Sequence, residues 1–178
     1  MSNSGHERHN MPQAARIAPP RLDPLTYGAE NRRRLSGPGL RTFLAIADLW
    51  KLTEDERRLI LGYPPRSTYH NWTKTAREHR DLTLDGDVLT RISGVLGIHA
   101  ALQILHPTEQ DGVAWLKRPH GAPAFGGHPP LDFVTSGPLD AILSVRRFLD
   151  AARGGLYMPP NEIDRDFTPY ADEEITIR

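Results

Sequence analysis

An all-α fold is predicted for this 178-residue chain by three observations. Apolar residues recur at helical spacing in several separate stretches. Each stretch is bounded by capping residues or by Gly and Pro, and no alternation of apolar and polar residues runs long enough for a sheet. The expected architecture is an N-terminal helix-turn-helix half packed with a small C-terminal helical domain, flanked by a flexible N-terminal arm and an extended C-terminal tail. The expected division is 1–35 for a basic arm, 36–84 for the helix-turn-helix domain, 85–157 for the second helical domain and 158–178 for an acidic tail.

The arm is inferred from Pro12, Pro19, Pro20 and Pro24 among few large apolar side chains. Ser36-Gly37-Pro38 reads as an N-cap with proline in the first turn, and Leu40, Phe43, Leu44, Ala47 and Leu49 or Trp50 then place a core helix near 38–51. Thr53-Glu54-Asp55-Glu56 fits a capping box ahead of Leu59, Ile60 and Leu61, and Gly62 supplies the left-handed residue that ends such a helix. After the turn Tyr63-Pro64-Pro65, Ser67 or Thr68 can cap a helix running to about His79. It has only Tyr69, Trp72 and Ala76 to bury, which assigns Trp72 to the core.

The other face of that helix carries Arg66, His70, Asn71, Thr73, Lys74, Arg77 and Arg80. Two short helices joined by a tight turn, the second poor in core residues, form the pattern of a helix-turn-helix. Arg, Asn and Lys have the donor geometry that base edges and phosphates require, so Arg66, Ser67, His70, Asn71 and Lys74 are the candidate DNA contacts, with Arg32 to Arg34 reaching phosphates. An ordinary solvated helix shows the same polar face.

Asp85 or Asp87 starts a longer helix with the stripe Val88, Leu89, Ile92, Val95, Leu96, Leu102 and Leu105. Gly94 and Gly97 inside it call for close helix packing, since each costs up to ~1 kcal/mol against alanine. Pro107 stops it. Thr108 to Lys117 makes a short helix with Val113, Trp115 and Leu116, and a loop over 118–130 follows, punctuated by Pro and Gly. Pro130 opens one or two turns through Leu131 and Phe133. Ser136-Gly137-Pro138 repeats the capping pattern of Ser36 before a last helix over 138–153.

The chain has no cysteine, which removes disulfides, thiolate metal sites and cysteine nucleophiles. No apolar run approaches the roughly 20 residues of a bilayer span, and Met1 to Asn10 is too polar for a signal peptide, so a cytoplasmic protein without membrane contact is expected. The zero net charge conceals opposed ends. Residues 1–41 carry seven Arg against Glu7, Asp23 and Glu30, a net +4, whereas residues 156–178 carry six carboxylates against Arg165 and Arg178, a net −4.

Enzyme signatures are missing: there is no phosphate-binding glycine loop, dinucleotide fingerprint or nucleophile turn. The eight histidines lack metal-ligand spacing, and Asp164, Asp166, Glu173 and Glu174 sit without a core to shift their pKa values. No catalytic residue, metal, cofactor or small-molecule substrate is expected. The chain works by binding.

Trp115-Leu116, Pro119, Phe125-Gly126-Gly127, Pro130-Leu131-Asp132-Phe133 and the run from Leu149 to Gly154 resemble the C-terminal toxin-binding domain of the Xre/MbcA/ParS antitoxins. The stretch with Ser67-Thr68-Tyr69 and Trp72 is similar to that family's Xre-like N-terminal half. The loop Arg118 to Ala124 is longer than usual, and both ends extend beyond the common core. The resemblance implies an antitoxin of a type II system whose partner is a RES-domain toxin that consumes NAD or ADP-ribosylates a target, neutralised by covering its active site. It also implies a homodimer that binds operator DNA and represses its own operon.

On this reading the toxin-binding residues are Trp115, Leu116, Pro119, Phe125, Gly126, Gly127 and Leu131, with Tyr157, Asp164, Asp166, Phe167 and Tyr170 of the tail as an acidic plug bearing apolar anchors. A dimeric helix-turn-helix regulator without a toxin partner is the alternative, and an all-α scaffold without DNA binding is the third reading.

Overall fold

The computed structural model describes residues 28–154, and among them there are seven helices and no strand. They are α1 (Ala29–Leu49), α2 (Glu54–Ile60), α3 (Arg66–Arg77), α4 (Gly86–Leu105), α5 (Glu109–Lys117), α6 (Pro130–Val134) and α7 (Leu139–Arg153). The all-α class with an N-terminal helix-turn-helix is as the periodicity predicts. α4 is the central element: α1, α5 and α7 all pack on it, α3 packs on α1, and α6 packs on α5 and α7. α4 has the length and apolar composition of a membrane span. Its apolarity has another cause, because Val88, Ile92, Val95, Ile98, Ala101 and Leu102 are buried among the surrounding helices.

α1 begins nine residues before the expected start at 38 and runs straight through Ser36-Gly37-Pro38, so residues 29–35 are helical. Tertiary contacts override the local breaker signal. The Ser36 hydroxyl is fully buried, donates to the Arg32 carbonyl at 2.6 Å and accepts the Leu84 backbone N–H at 2.8 Å. Arg32 lies 3.7 Å from Asp85, and Arg33 pairs with Asp81. The segment ahead of α4 therefore holds the first turns of α1, where Pro38 cannot donate to the Arg34 carbonyl.

The Thr53 capping box forms as expected: Thr53 N–H donates to Glu56 Oε2 at 2.7 Å, and Glu56 N–H donates to Thr53 Oγ1 at 3.3 Å. Gly62 adopts φ 88°, Tyr63 N–H reaches the Arg58 carbonyl and Gly62 N–H the Leu59 carbonyl, which is the Schellman ending. Arg58 fixes the turn after α2. Its buried guanidinium donates to the Pro64 carbonyl at 2.9 Å, pairs with Asp55 at 2.9 Å and lies 4.4 Å from the Tyr63 ring centre. Two expected caps are corrected. α3 starts at Arg66 after Pro65, with neither Ser67 nor Thr68 as its cap, and Ser136 donates to the Phe133 carbonyl at 2.7 Å instead of capping α7.

The glycines of α4 do serve close packing. A Cβ on Gly94 would stand 2.8 Å from Ile142 Cγ2, and one on Gly97 2.6 Å from Arg146 Cζ. Arg91 completes the joint, donating to the Gly137 carbonyl at 2.6 Å and the Ile60 carbonyl at 3.4 Å while its Nε holds Asp87 at 2.7 Å. One side chain thus ties the end of α2 to the turn before α7.

Gly94→Ala should destabilise the fold by about 1–3 kcal/mol, because Ile142 is boxed in. Gly97→Ala should cost less, since the Arg146 end can swing away and alanine regains helix propensity; thermal melts of the two variants check the order. Ser36→Ala leaves the Leu84 N–H without its partner and should cost about 1–3 kcal/mol in urea unfolding.

Candidate functional site

Two separate surfaces carry the candidate residues. On α3, Ser67, His70, Asn71 and Lys74 are all exposed and stand at i, i+3, i+4 and i+7, one continuous face, with Arg66 at its N-terminal end. The opposite face is buried through Tyr69 and Ala76, and half-buried Trp72 packs against the same core; Thr73, expected on the polar face, is buried as well, its hydroxyl donating to the Tyr69 carbonyl at 2.9 Å. The face is not electrically uniform. Arg66 Nη2 lies 3.1 Å from Asp55 Oδ1 and its Nε 3.8 Å from Glu54, and His70 Nε2 lies 3.5 Å from Glu54 Oε2. Those two residues are drawn toward the first turn of α2. Ser67, Asn71 and Lys74 make no side-chain hydrogen bond or ion pair among the described residues and present free donors and acceptors outward. Arg32 points elsewhere than the expected phosphate track: its guanidinium is largely covered beside Asp85.

The second surface is built around Trp115 on α5. Its half-buried indole stacks on Phe148 of α7 at 6.1 Å and meets Phe125 edge-on at 6.0 Å and His120 at 5.2 Å, while Phe125 also contacts Phe148 at 4.8 Å and Phe133 of α6 at 5.6 Å. This aromatic cluster pins the loop between α5 and α6. The loop is further closed on itself. His120 N–H donates to the His128 carbonyl at 3.2 Å, Ala122 N–H donates to His120 Nδ1 at 3.1 Å, and Phe125 and His128 N–H reach the Ala122 and Phe125 carbonyls at 2.9 Å. Gly126 and Gly127, at φ 54° and 84°, make the reversal that a side chain would strain.

The expected partner-binding residues therefore fall into three groups. Leu116 and Phe125 are inside the fold, 0% and 2% exposed, and have no surface to offer a partner; their role is to shape the loop. Pro119, Gly126 and Gly127 are exposed, and Trp115 and Leu131 are half-buried at the rim. Tyr157, Asp164, Asp166, Phe167 and Tyr170 lie outside the described residues.

His120 and Phe148 belong to the cluster without having been singled out from the sequence. A histidine within a Pro/Gly-rich loop gives no periodic signal, and Phe148 reads only as one more apolar position of α7. Phe148 is five residues before the end of α7, so the last described helical residue, Arg153, stands about 8 Å further along the helix axis.

Residues 29–97 match the family described as "Antitoxin Xre-like helix-turn-helix domain", and residues 101–155 match "Antitoxin Xre/MbcA/ParS C-terminal toxin-binding domain". The first span takes in α1 to α3 and most of α4; the second takes in the aromatic-pinned loop. The curated protein printed as "Uncharacterized protein y4oB" of Sinorhizobium fredii (strain NBRC 101917 / NGR234) is 39% identical over 116 residues, covering 65% of this chain and 84% of that protein. No solved structure matches.

Phe125→Ala should cost about 3–5 kcal/mol by opening a cavity between Trp115, Phe133 and Phe148. Tryptophan emission should shift to the red in the folded variant as water reaches Trp115, a change that fluorescence at low temperature reads directly.

Proposed function

We propose that this chain, which belongs to the Xre/MbcA/ParS antitoxin family, neutralises a RES-domain toxin by covering its active site and, as a homodimer, represses its own operon through α3. The observation that carries the reading is the aromatic-pinned loop between α5 and α6, which lies inside the match to the toxin-binding domain. A rigid loop holding Trp115, Pro119, Gly126, Gly127 and Leu131 in one arrangement binds without a large ordering cost. The acidic segment beyond it reaches further across the same partner.

The toxin's chemistry follows from the resemblance to the antitoxin family, and the charge of the chain is compatible with it. A pocket that binds the pyrophosphate of NAD presents cationic donors, and the net −4 of residues 156–178 complements them. Asp164 and Asp166 compete for those donors, while Tyr157, Phe167 and Tyr170 fill apolar ground beside them. The α3 face supports the second activity. Ser67, Asn71 and Lys74 are free, short or flexible, and of the types that read base edges and phosphates. In a symmetric dimer the two α3 helices address half-sites about one turn of DNA apart.

Co-expression with the product of the neighbouring gene tests the reading. The full chain should co-purify with that protein as a complex that leaves NAD intact and restores growth. The 1–155 truncation should still co-purify through the α5–α6 loop, but in a complex that consumes NAD. Failure of both chains to capture the neighbouring product overturns the antitoxin assignment, and NAD consumption unaffected by the full chain overturns occlusion.

A further inference from the structure

Charge is distributed unequally about the two ends of α3. At the end next to α2, Asp48, Glu54, Asp55 and Glu56 gather, with Arg57 paired to Asp48, Arg58 to Asp55 and Arg66 to both Asp55 and Glu54. A nucleic-acid phosphate placed at the start of α2 would meet the three carboxylates of its first turn, Glu54, Asp55 and Glu56. Beyond the C-terminal end of α3 the sign reverses. A groove of about 430 Å³ runs between the first half of α1 and residues 79–82, lined by Arg33, Arg34, Arg41, His79 and Arg80 against Glu30 and Asp81; Arg33 pairs with Asp81, and Arg80 with Glu78 at 2.6 Å.

The groove adjoins the reading helix directly, because Arg41 Nη1 donates to the Ala76 carbonyl at 3.2 Å, in the last turn of α3. Gly37 leaves space for this: a Cβ there would stand 3.3 Å from Arg41 Nη1. Among the described residues Arg34 and Arg41 form no ion pair; Arg34 is exposed and Arg41 half-buried against the Ala76 carbonyl.

We propose that this groove seats the phosphate backbone of the duplex whose bases α3 reads, so that the DNA track leaves α3 past its C-terminal end and avoids the start of α2. The proposal rests on the DNA-binding reading above and adds its polarity. Arg34, Arg41 and Arg80 hold the backbone; Ser67, Asn71 and Lys74 meet the base edges. Phosphate contacts carry affinity and its salt dependence without sequence information, whereas base contacts carry discrimination, so the two sets separate by measurement.

The test uses the full chain and a duplex of the DNA upstream of its own coding sequence, with binding measured across a salt series. The double variant Arg34→Gln, Arg80→Gln removes two exposed cations. Its plot of log binding constant against log salt should be shallower by about 0.9 for each phosphate no longer neutralised, with preference over a scrambled duplex retained. Asn71→Ala should do the opposite, losing the preference at an unchanged slope. Arg147→Gln on α7, exposed and distant from α3, is the control and should match the parent chain.

An unchanged slope in the double variant, with Asn71→Ala still abolishing preference, overturns the groove and leaves the DNA reading intact. A parent chain that prefers no upstream sequence over the scrambled duplex overturns both. Loss of the neighbouring gene product from the double variant, with DNA binding untouched, assigns the groove to a protein surface and likewise overturns the proposal.

Discussion

Burial of α4 by α1, α5 and α7 decides where both candidate surfaces stand. A helix covered on several sides must be apolar nearly all round, and it must yield space where its neighbours come nearest; Gly94 and Gly97 yield it to Ile142 and Arg146. That approach places α7 beside α4 and delivers Phe148 to Trp115. On its other side α4 holds α1, and α1 carries α3. The polar face of α3 and the aromatic loop are thus both mounted on α4, each through one intermediate layer.

Arg91 gives the arrangement a physical link between the two halves. Its guanidinium spans the Ile60 and Gly137 carbonyls from the first turns of α4, so the end of α2 and the turn before α7 share one donor group.

Much of this was legible in the amino-acid order. The helical class follows from periodicity, the Thr53 box and the Gly62 ending from local chemistry, and the polar face of α3 from i, i+3, i+4 spacing. These are local signals, and local signals survive folding when nothing opposes them. The start of α1 was opposed: Ser36-Gly37-Pro38 has the chemistry of a helix beginning, but Leu84 and Asp85, nearly fifty residues away, use Ser36 and Arg32 to extend the helix backward. The aromatic cluster was half legible. Trp115 and Phe125 stand out as large residues near Gly and Pro, yet their burial depends on Phe148 and His120 arriving from other segments. The basic groove was legible least, since Arg34, Arg41 and Arg80 come together only after α1 and α3 have packed.

The claim at the centre is that one α4-centred body offers DNA and a protein partner two surfaces that do not overlap. Amide hydrogen exchange on the full chain, measured alone, with the upstream duplex and with the co-expressed neighbouring product, tests it most directly. The account predicts that DNA protects α3 and the 79–82 segment, and that the protein partner protects the loop between α5 and α6 together with residues beyond 154. Protection of the same segment by both, or protection by the partner confined to α3, would contradict it.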